Sequence, residues 1–189
     1  MPVVRCSHPC RLRLLRTAPG RPGGCAPRPL GGPTLKLPRR LSADDPLLAE
    51  VLALIQRSFA YMDGRIDPPS SMHRLTVGGM AEHCRAGGEI WAAGSPPAAC
   101  IFLMPQADCL HLGKLAVDPA RRGSGLGRRM VDLAAQRARD LGLPALELQT
   151  RIELVENHRL FARLGFAKTA EGSHPGCSRV TNITMRLTL

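Results

Sequence analysis

Between Leu115 and Leu141 an apolar run stops at Asp118 and Pro119, passes through an Arg- and Gly-rich turn, and reopens as a helical pattern. This junction constrains the fold more than any other segment, because a strand end, a turn and a helix start fall within a few residues of one another. The first N–H groups of a helix have no intrahelical partner, and the aligned peptide dipoles leave about half a positive charge there, so the position favours an anion. Gly123, Gly125 and Gly127 lack the Cβ atoms that would hold a phosphate away from the backbone. Arg121, Arg122, Arg128 and Arg129 crowd the same helix start, where each cation costs roughly 0.3–1 kcal/mol unless something negative is bound. The segment reads as a built anion site.

The formal charge of +11 suggests a nucleic-acid binder until it is divided along the chain. Residues 1–33 hold six Arg and no acid, leaving 20 basic against 15 acidic residues in 34–189. The excess in the larger part is concentrated at 121–129, and one Trp, one Tyr and four Phe give few stacking platforms, so no nucleic-acid partner is expected. Eight prolines and glycines between Pro19 and Pro33 break any amphipathic helix, so residues 1–33 are expected to form a disordered basic tail ahead of one domain over 34–189. Seven cysteines, odd in number and without paired spacing in the expected domain, fit a reducing, cytoplasmic setting. Cys6 and Cys10 make at most half a zinc site, and no metal is expected. No stretch has the roughly 20 apolar residues of a membrane span, so no membrane partner is expected either.

The pattern predicts a short strand over Thr34–Leu41 and a helix over about 46–60, opened by Asp44, Asp45 and Pro46 and striped by Leu48, Val51, Leu52, Ile55 and Phe59. A loop over Tyr61–Ser71 and a helix from Met72 to about Arg85 follow. Glu89–Ala93, Ala98–Met104 and Cys109–Val117 read as an antiparallel meander. The last run slips register: Leu110 and Leu112 share one face by alternation, whereas Leu115 and Val117 fall on the other. One extra residue near Gly113 and Lys114 restores a single apolar face, as a β-bulge does. A helix over Ser124–Leu141 closed by Gly142, a strand over Ala145–Thr150, a helix over Leu154–Leu164 ended by Gly165, and strands over Phe166–Ala170 and Arg179–Leu187 complete a mixed α/β chain.

A dinucleotide fold fits the glycines poorly, because its third glycine position holds Arg128 and Asp118–Arg122 separates strand from turn. A P-loop is excluded by the missing Gly-Lys-Ser/Thr. Arg122-Gly123-Ser124-Gly125-Leu126-Gly127 instead resembles the (Arg/Gln)-x-x-Gly-x-(Gly/Ala) signature of the GNAT acetyltransferase superfamily, preceded by the Leu115–Pro119 strand end typical of it. A helix ending in Leu164-Gly165-Phe166, with Asn157 near its start, resembles the second hallmark. The resemblance spans about 34–189. It implies the acyl-CoA N-acyltransferase fold: a mostly antiparallel twisted sheet with a splayed, bulged central strand and helices on both faces. It also implies acetyl-CoA as co-substrate, with its pantetheine arm along Leu115 and Val117 and its pyrophosphate on the N–H groups of Arg122, Gly123, Ser124, Gly125, Leu126 and Gly127. Arg128 would meet the ribose phosphate, and Asn157 would contact the cofactor.

The implied reaction is direct attack of an amine on the thioester. A lysine-like amine with a pKa near 10.4 costs about 4.6 kcal/mol to deprotonate at pH 7, so a base is useful. His111 and Asp108, beside or on the bulged strand, and Glu89 on a neighbouring strand are the candidates. The family often has a Tyr on the helix before Leu164-Gly165-Phe166 to protonate the leaving thiolate; here that position is Phe161, leaving His158 or solvent. Acceptor recognition in the family uses the first two helices, their loop and the last hairpin, so Asp63 and Asp67 would hold a cationic amine and Arg65 a carboxylate. Because Phe161 carries no proton, an acyl-CoA-binding module with little catalysis is the alternative function, and a homodimer stays open.

Overall fold

The computed structural model describes residues 37–189, so the expected basic tail, with Cys6 and Cys10, lies outside the described residues. The elements run β1 (Arg39–Leu41), α1 (Leu48–Phe59), α2 (Val77–Arg85), β2 (Glu89–Gly94), β3 (Pro97–Pro105), β4 (Leu110–Leu112), β5 (Ala116–Val117), α3 (Leu126–Asp140), β6 (Ala145–Arg151), α4 (Val155–Arg163), β7 (Ala167–Gly172) and β8 (Asn182–Thr188). One sheet carries all the strands in the order β1-β2-β3-β4-β6-β8-β7, with β5 paired to β3. Every pairing is antiparallel except β4 with β6. No helix among the described residues is long and apolar enough to cross a membrane.

Two apolar layers sandwich the sheet. Leu48, Val51, Leu54 and Ile55 of α1 are each no more than 1% exposed and pack with Met80 of α2 on Ile90, Ala92, Cys100 and Phe102. On the opposite face Leu126, Met130, Val131 and Ala134 of α3 meet Ile101, Leu103, Leu110, Leu112, Leu146 and Leu148, and Phe161 of α4 and Leu164 at its C-cap join that cluster at its edge. Burying each large aliphatic side chain contributes roughly 1.5–3 kcal/mol, which is why the helical stripe and the strand alternation were readable.

The second helix starts five residues later than its apolar pattern predicts. Residues 71–74 form a 3₁₀ turn capped by the Ser70 hydroxyl, and Thr76, in an extended conformation, accepts the Gly79 N–H at 3.1 Å to start α2 afresh. Consecutive Gly78 and Gly79 weaken helical continuity, so side-chain capping decides the boundary. At the other end of α3, Gly142 is left-handed (φ 70°), and the Leu143 and Gly142 N–H groups return to the Ala138 and Arg139 carbonyls as a Schellman cap.

The register slip is a bulge. Leu112 opposes Leu103 and Ala116 opposes Cys100, so four steps along β4 and β5 match three along β3. Gly113 donates to the Phe102 carbonyl at 2.8 Å, and a Cβ there would stand 3.2 Å from the Phe102 Cβ, so the inner side of the kink has little room for a side chain.

Candidate active site

The bulge turns the middle of the sheet into a V. β4 and β6 pair at Leu110 with Leu146, His111 with Glu147 and Leu112 with Leu148, and then part, because β5 follows β3 instead. Asp118 N–H donates to the Ala98 carbonyl at 2.9 Å, so by alternation Ala116 faces β3 while the peptide groups of Leu115 and Val117 face the opening. The Val117 carbonyl accepts the buried Ser58 hydroxyl at 3.1 Å. That leaves the Leu115 carbonyl and the Val117 N–H directed into the V, a matched acceptor and donor for an extended amide-bearing chain.

The V leads to the anion turn. Asp118 caps a 3₁₀ turn (Pro119–Arg121) through the Ala120 N–H at 2.9 Å and is held by Arg57 Nε at 3.0 Å. Two hydrogen bonds and the Arg57 charge hold its carboxyl below the usual range, the bond from Ala120 being the largest cause. The Ser124 hydroxyl donates back to the Arg121 carbonyl, and Gly125, left-handed at φ 80°, is the N-cap of α3, so the helix starts at Leu126 rather than Ser124. A Cβ at Gly123 or Gly125 would meet nothing within 4 Å, so the cradle is open toward solvent where a pyrophosphate would sit. The N–H groups of Leu126, Gly127 and Arg128 are first-turn donors without helical acceptors. Arg122 faces inward: its Nη2 donates to the Ser58 carbonyl at 2.9 Å and its guanidinium lies 5.3 Å from the Tyr61 ring centroid. Its backbone, not its side chain, is placed to meet an anion. Arg128 is exposed, 3.8 Å from Asp132.

The α4 start closes the other side of the opening. Asn157 Nδ2 donates to the Tyr61 hydroxyl oxygen at 3.2 Å, and Phe161, one turn on, packs edge-on against Phe166 at 5.7 Å.

A family model described as the acetyltransferase (GNAT) family matches residues 57–166, which includes the V, the turn and α4. The chain belongs to this family. A protein named IAA acetyltransferase from Azospirillum brasilense is 26% identical, the match covering 67% of this chain and 83% of that protein. An acetyltransferase from Streptococcus agalactiae 2603 superposes with TM-score 0.64 at 16% identity, over 82% of this chain and 98% of its own. A GNAT-family acetyltransferase from Staphylococcus aureus Mu50 gives 0.62 at 15% identity, over 80% and 99%. These two likenesses bear on the fold alone.

In this GNAT protein the three expected bases do not converge. His111 lies on the sheet face opposite α3, one residue inside the apex of the V and beside Glu147. Burial lowers its pKa, with Glu147 opposing, and its Nδ1 is buried without a protein partner, so the ring is neutral near pH 7. Glu89 lies on the α3 face, two strands away, opposite Leu103. It accepts from Arg137 Nη2 at 2.8 Å, Arg137 Nε at 3.1 Å and Trp91 Nε1 at 2.7 Å, with Arg40 at 3.2 Å. Burial pushes its carboxyl up, but these partners outweigh that and hold it below the ordinary range. Glu89 pins α3 to the sheet, and its lone pairs are engaged by these partners. Asp108, in the β3–β4 loop, is held by Arg186 at 2.8 Å, beyond His111 on the side away from the opening.

The expected acceptor residues are likewise engaged. Asp63 pairs with His73 at 2.9 Å, Arg65 with Glu156, and Asp67 with Arg179 at 2.9 Å. Arg65 and Asp67 fasten the α1–α2 loop to α4 and to the β7–β8 loop, while Asp63 closes the loop on itself through His73. His158 donates through Nε2 to the Arg151 carbonyl at 2.8 Å, which fixes its ring against β6. Two residues that sequence reasoning passed over, Ser58 and Tyr61, hold the turn and α4. Ser58 carried a signal: it occupies a buried position of the α1 stripe, three residues after Ile55, where an aliphatic residue is expected.

Proposed function

We propose that this protein transfers the acetyl group of acetyl-CoA to a primary amine of a small molecule or of an exposed protein residue, by direct attack of the amine on the thioester. The observation that carries this reading is the V whose unpaired edge leads to an open, left-handed glycine cradle at the start of α3. An anion bound there removes the cost of placing Arg121, Arg128 and Arg129 at a helix N-terminus. Leu115 and Val117 would align the arm by backbone hydrogen bonds, each worth about 0.5–1.5 kcal/mol net. Arg122 through Gly127 would hold the pyrophosphate through their N–H groups, and Asn157 would reach the cofactor from α4.

When bound, acetyl-CoA supplies an activated acyl carbon. His111 is the base supported best, since its neutral ring lies beside the apex of the V and no protein atom engages its Nδ1; it would take the proton that the attacking amine loses. The acetyltransferase domain would occupy 34–189, in a cytoplasmic setting.

The test is release of free thiol from acetyl-CoA across a panel of small amines, amino acids and peptides, with coenzyme A binding followed by calorimetry. Turnover with at least one amine is expected. Tight binding with silence across the panel favours a binding module, the reading to which Phe161, packed on Phe166 without a proton to give, lends support.

A further inference from the structure

We infer that the acceptor is a small amino carboxylate, its carboxylate held by Lys114 and Arg74 where the sheet face that carries His111 meets the acyl end of the V. The inference rests on the acetyl-transfer reading and deepens it. With the pyrophosphate on the turn beyond Asp118, the acyl end lies toward the apex, beside the Leu115 carbonyl. Lys114 immediately precedes Leu115. Its Nζ stands 5.9 Å from the centroid of the Phe102 ring. Phe102 and His111 share a sheet face, since His111 opposes Met104, two residues further along β3.

Cations reach this place from three more elements. Arg74 ends the 3₁₀ turn at 71–74, and its charge acts on Lys114 at one lip of the V and on His174, in the β7–β8 loop, at the other. Arg151 stands on β6, on the face of Glu147 and His111 by alternation, and its Nη1 lies 3.2 Å from His174 Nε2. Its Nε and Nη2 are buried without a hydrogen-bond acceptor, so this wall is short of acceptors. Glu153, 3.5 Å from Arg151, offsets that charge. Burial and Arg151 hold His174 below its ordinary value of 6.5, so its ring is neutral near pH 7. The excess charge is therefore that of Lys114 and Arg74. Neither joins an ion pair among the described residues, whereas Arg65, Arg151 and Arg179 nearby each have a carboxylate. Burial and the Arg74 charge push the Lys114 ammonium below its ordinary value, and no carboxylate opposes them. A half-buried ammonium beside a like charge is relieved by an anion. A carboxylate on the acceptor supplies one, and a polycationic acceptor meets repulsion.

Matched acceptors test this. Several amino acids are each compared with their carboxamides, whose amines are less basic and so more often neutral near pH 7; a site indifferent to the carboxylate favours the amides. Thiol release is expected to give kcat/KM at least about tenfold higher for the free acids. Arg74→Gln, and Lys114→Met, which keeps most of the apolar stem, are each expected to raise KM for the acids about tenfold, leaving the amides and the KM for acetyl-CoA within about twofold. Because Arg74 is exposed, its variant decides the matter even where Lys114→Met fails to fold. Turnover of amides or diamines at or above that of the acids, or variants that slow acids and amides alike, overturns the inference while leaving the transferase reading intact. A wild-type enzyme that releases no thiol with any acceptor overturns both.

Discussion

The Ser58 hydroxyl donates to the Val117 carbonyl at 3.1 Å, tying the buried end of α1 to the last residue of the splayed strand. Its own carbonyl receives Arg122, so one residue fastens both the strand and the turn that follows. Ser58→Ala strips a partner from a carbonyl at a position only 1% exposed, at a cost of about 1–3 kcal/mol. A fall in Tm of roughly 2–4 °C per kcal/mol is expected in thermal denaturation, together with weaker coenzyme A binding by calorimetry. Unchanged affinity in a destabilised variant would show that Val117 does not align the ligand.

Glu89 predicts a pH effect on stability rather than on chemistry. Its carboxyl is held below the ordinary value of 4.5 in the folded protein, so the unfolded chain binds its proton more readily. The stability it contributes is present above about pH 4.5 and is lost as the pH falls through the folded value. Glu89→Gln should lose about 2–4 kcal/mol near neutral pH, because Arg137 loses the buried carboxylate it forks and keeps only the partly exposed Asp140, and the loss should shrink in acid. Chemical denaturation at pH 7 and pH 4 reads this difference. Activity per folded molecule should stay near that of the wild type; a selective fall in kcat would restore Glu89 to the chemistry.

The anion turn and the bulge were legible because both rest on local rules: glycines ahead of an amphipathic helix, and a two-residue alternation that breaks at Gly113. Helix ends were less legible, since Thr76 and Ser124 hydrogen-bond to backbone atoms whose positions depend on the turn already formed. The polar residues misled for a different reason. Glu89 meets Arg137 across 48 positions, Asp67 meets Arg179 across 112, and Asn157 meets Tyr61 across 96, so no local pattern distinguishes a free carboxylate from a satisfied one. Ser58 is the exception, a hydroxyl on an otherwise apolar stripe.

His111 leads to a prediction about the acid side of the rate profile. Burial holds its pKa below 6.5, so the neutral, proton-accepting ring persists to lower pH than an exposed histidine would allow. With an acceptor of known pKa, kcat/KM should bend downward below pH 6.5 as His111 is protonated. His111→Gln should remove that bend and lower kcat about 100-fold if the ring acts as base. A variant that keeps both the rate and the bend assigns the proton to water.

Gly125 separates the ligand from the scaffold as the cause of a binding loss. Its φ of 80° disfavours any side chain, yet a Cβ there meets no protein atom within 4 Å. Gly125→Ala should therefore cost about 1–2 kcal/mol of backbone strain and little else in the free protein. Gly125→Glu carries the same strain and adds a carboxylate over the N–H groups that would hold the pyrophosphate. The two variants should match in Tm to within a few degrees while only the glutamate abolishes coenzyme A binding in calorimetry. Raised salt should not rescue it, because the side chain fills the cradle as well as opposing its charge. Retained affinity in Gly125→Glu would place the anion elsewhere and remove the turn from the site.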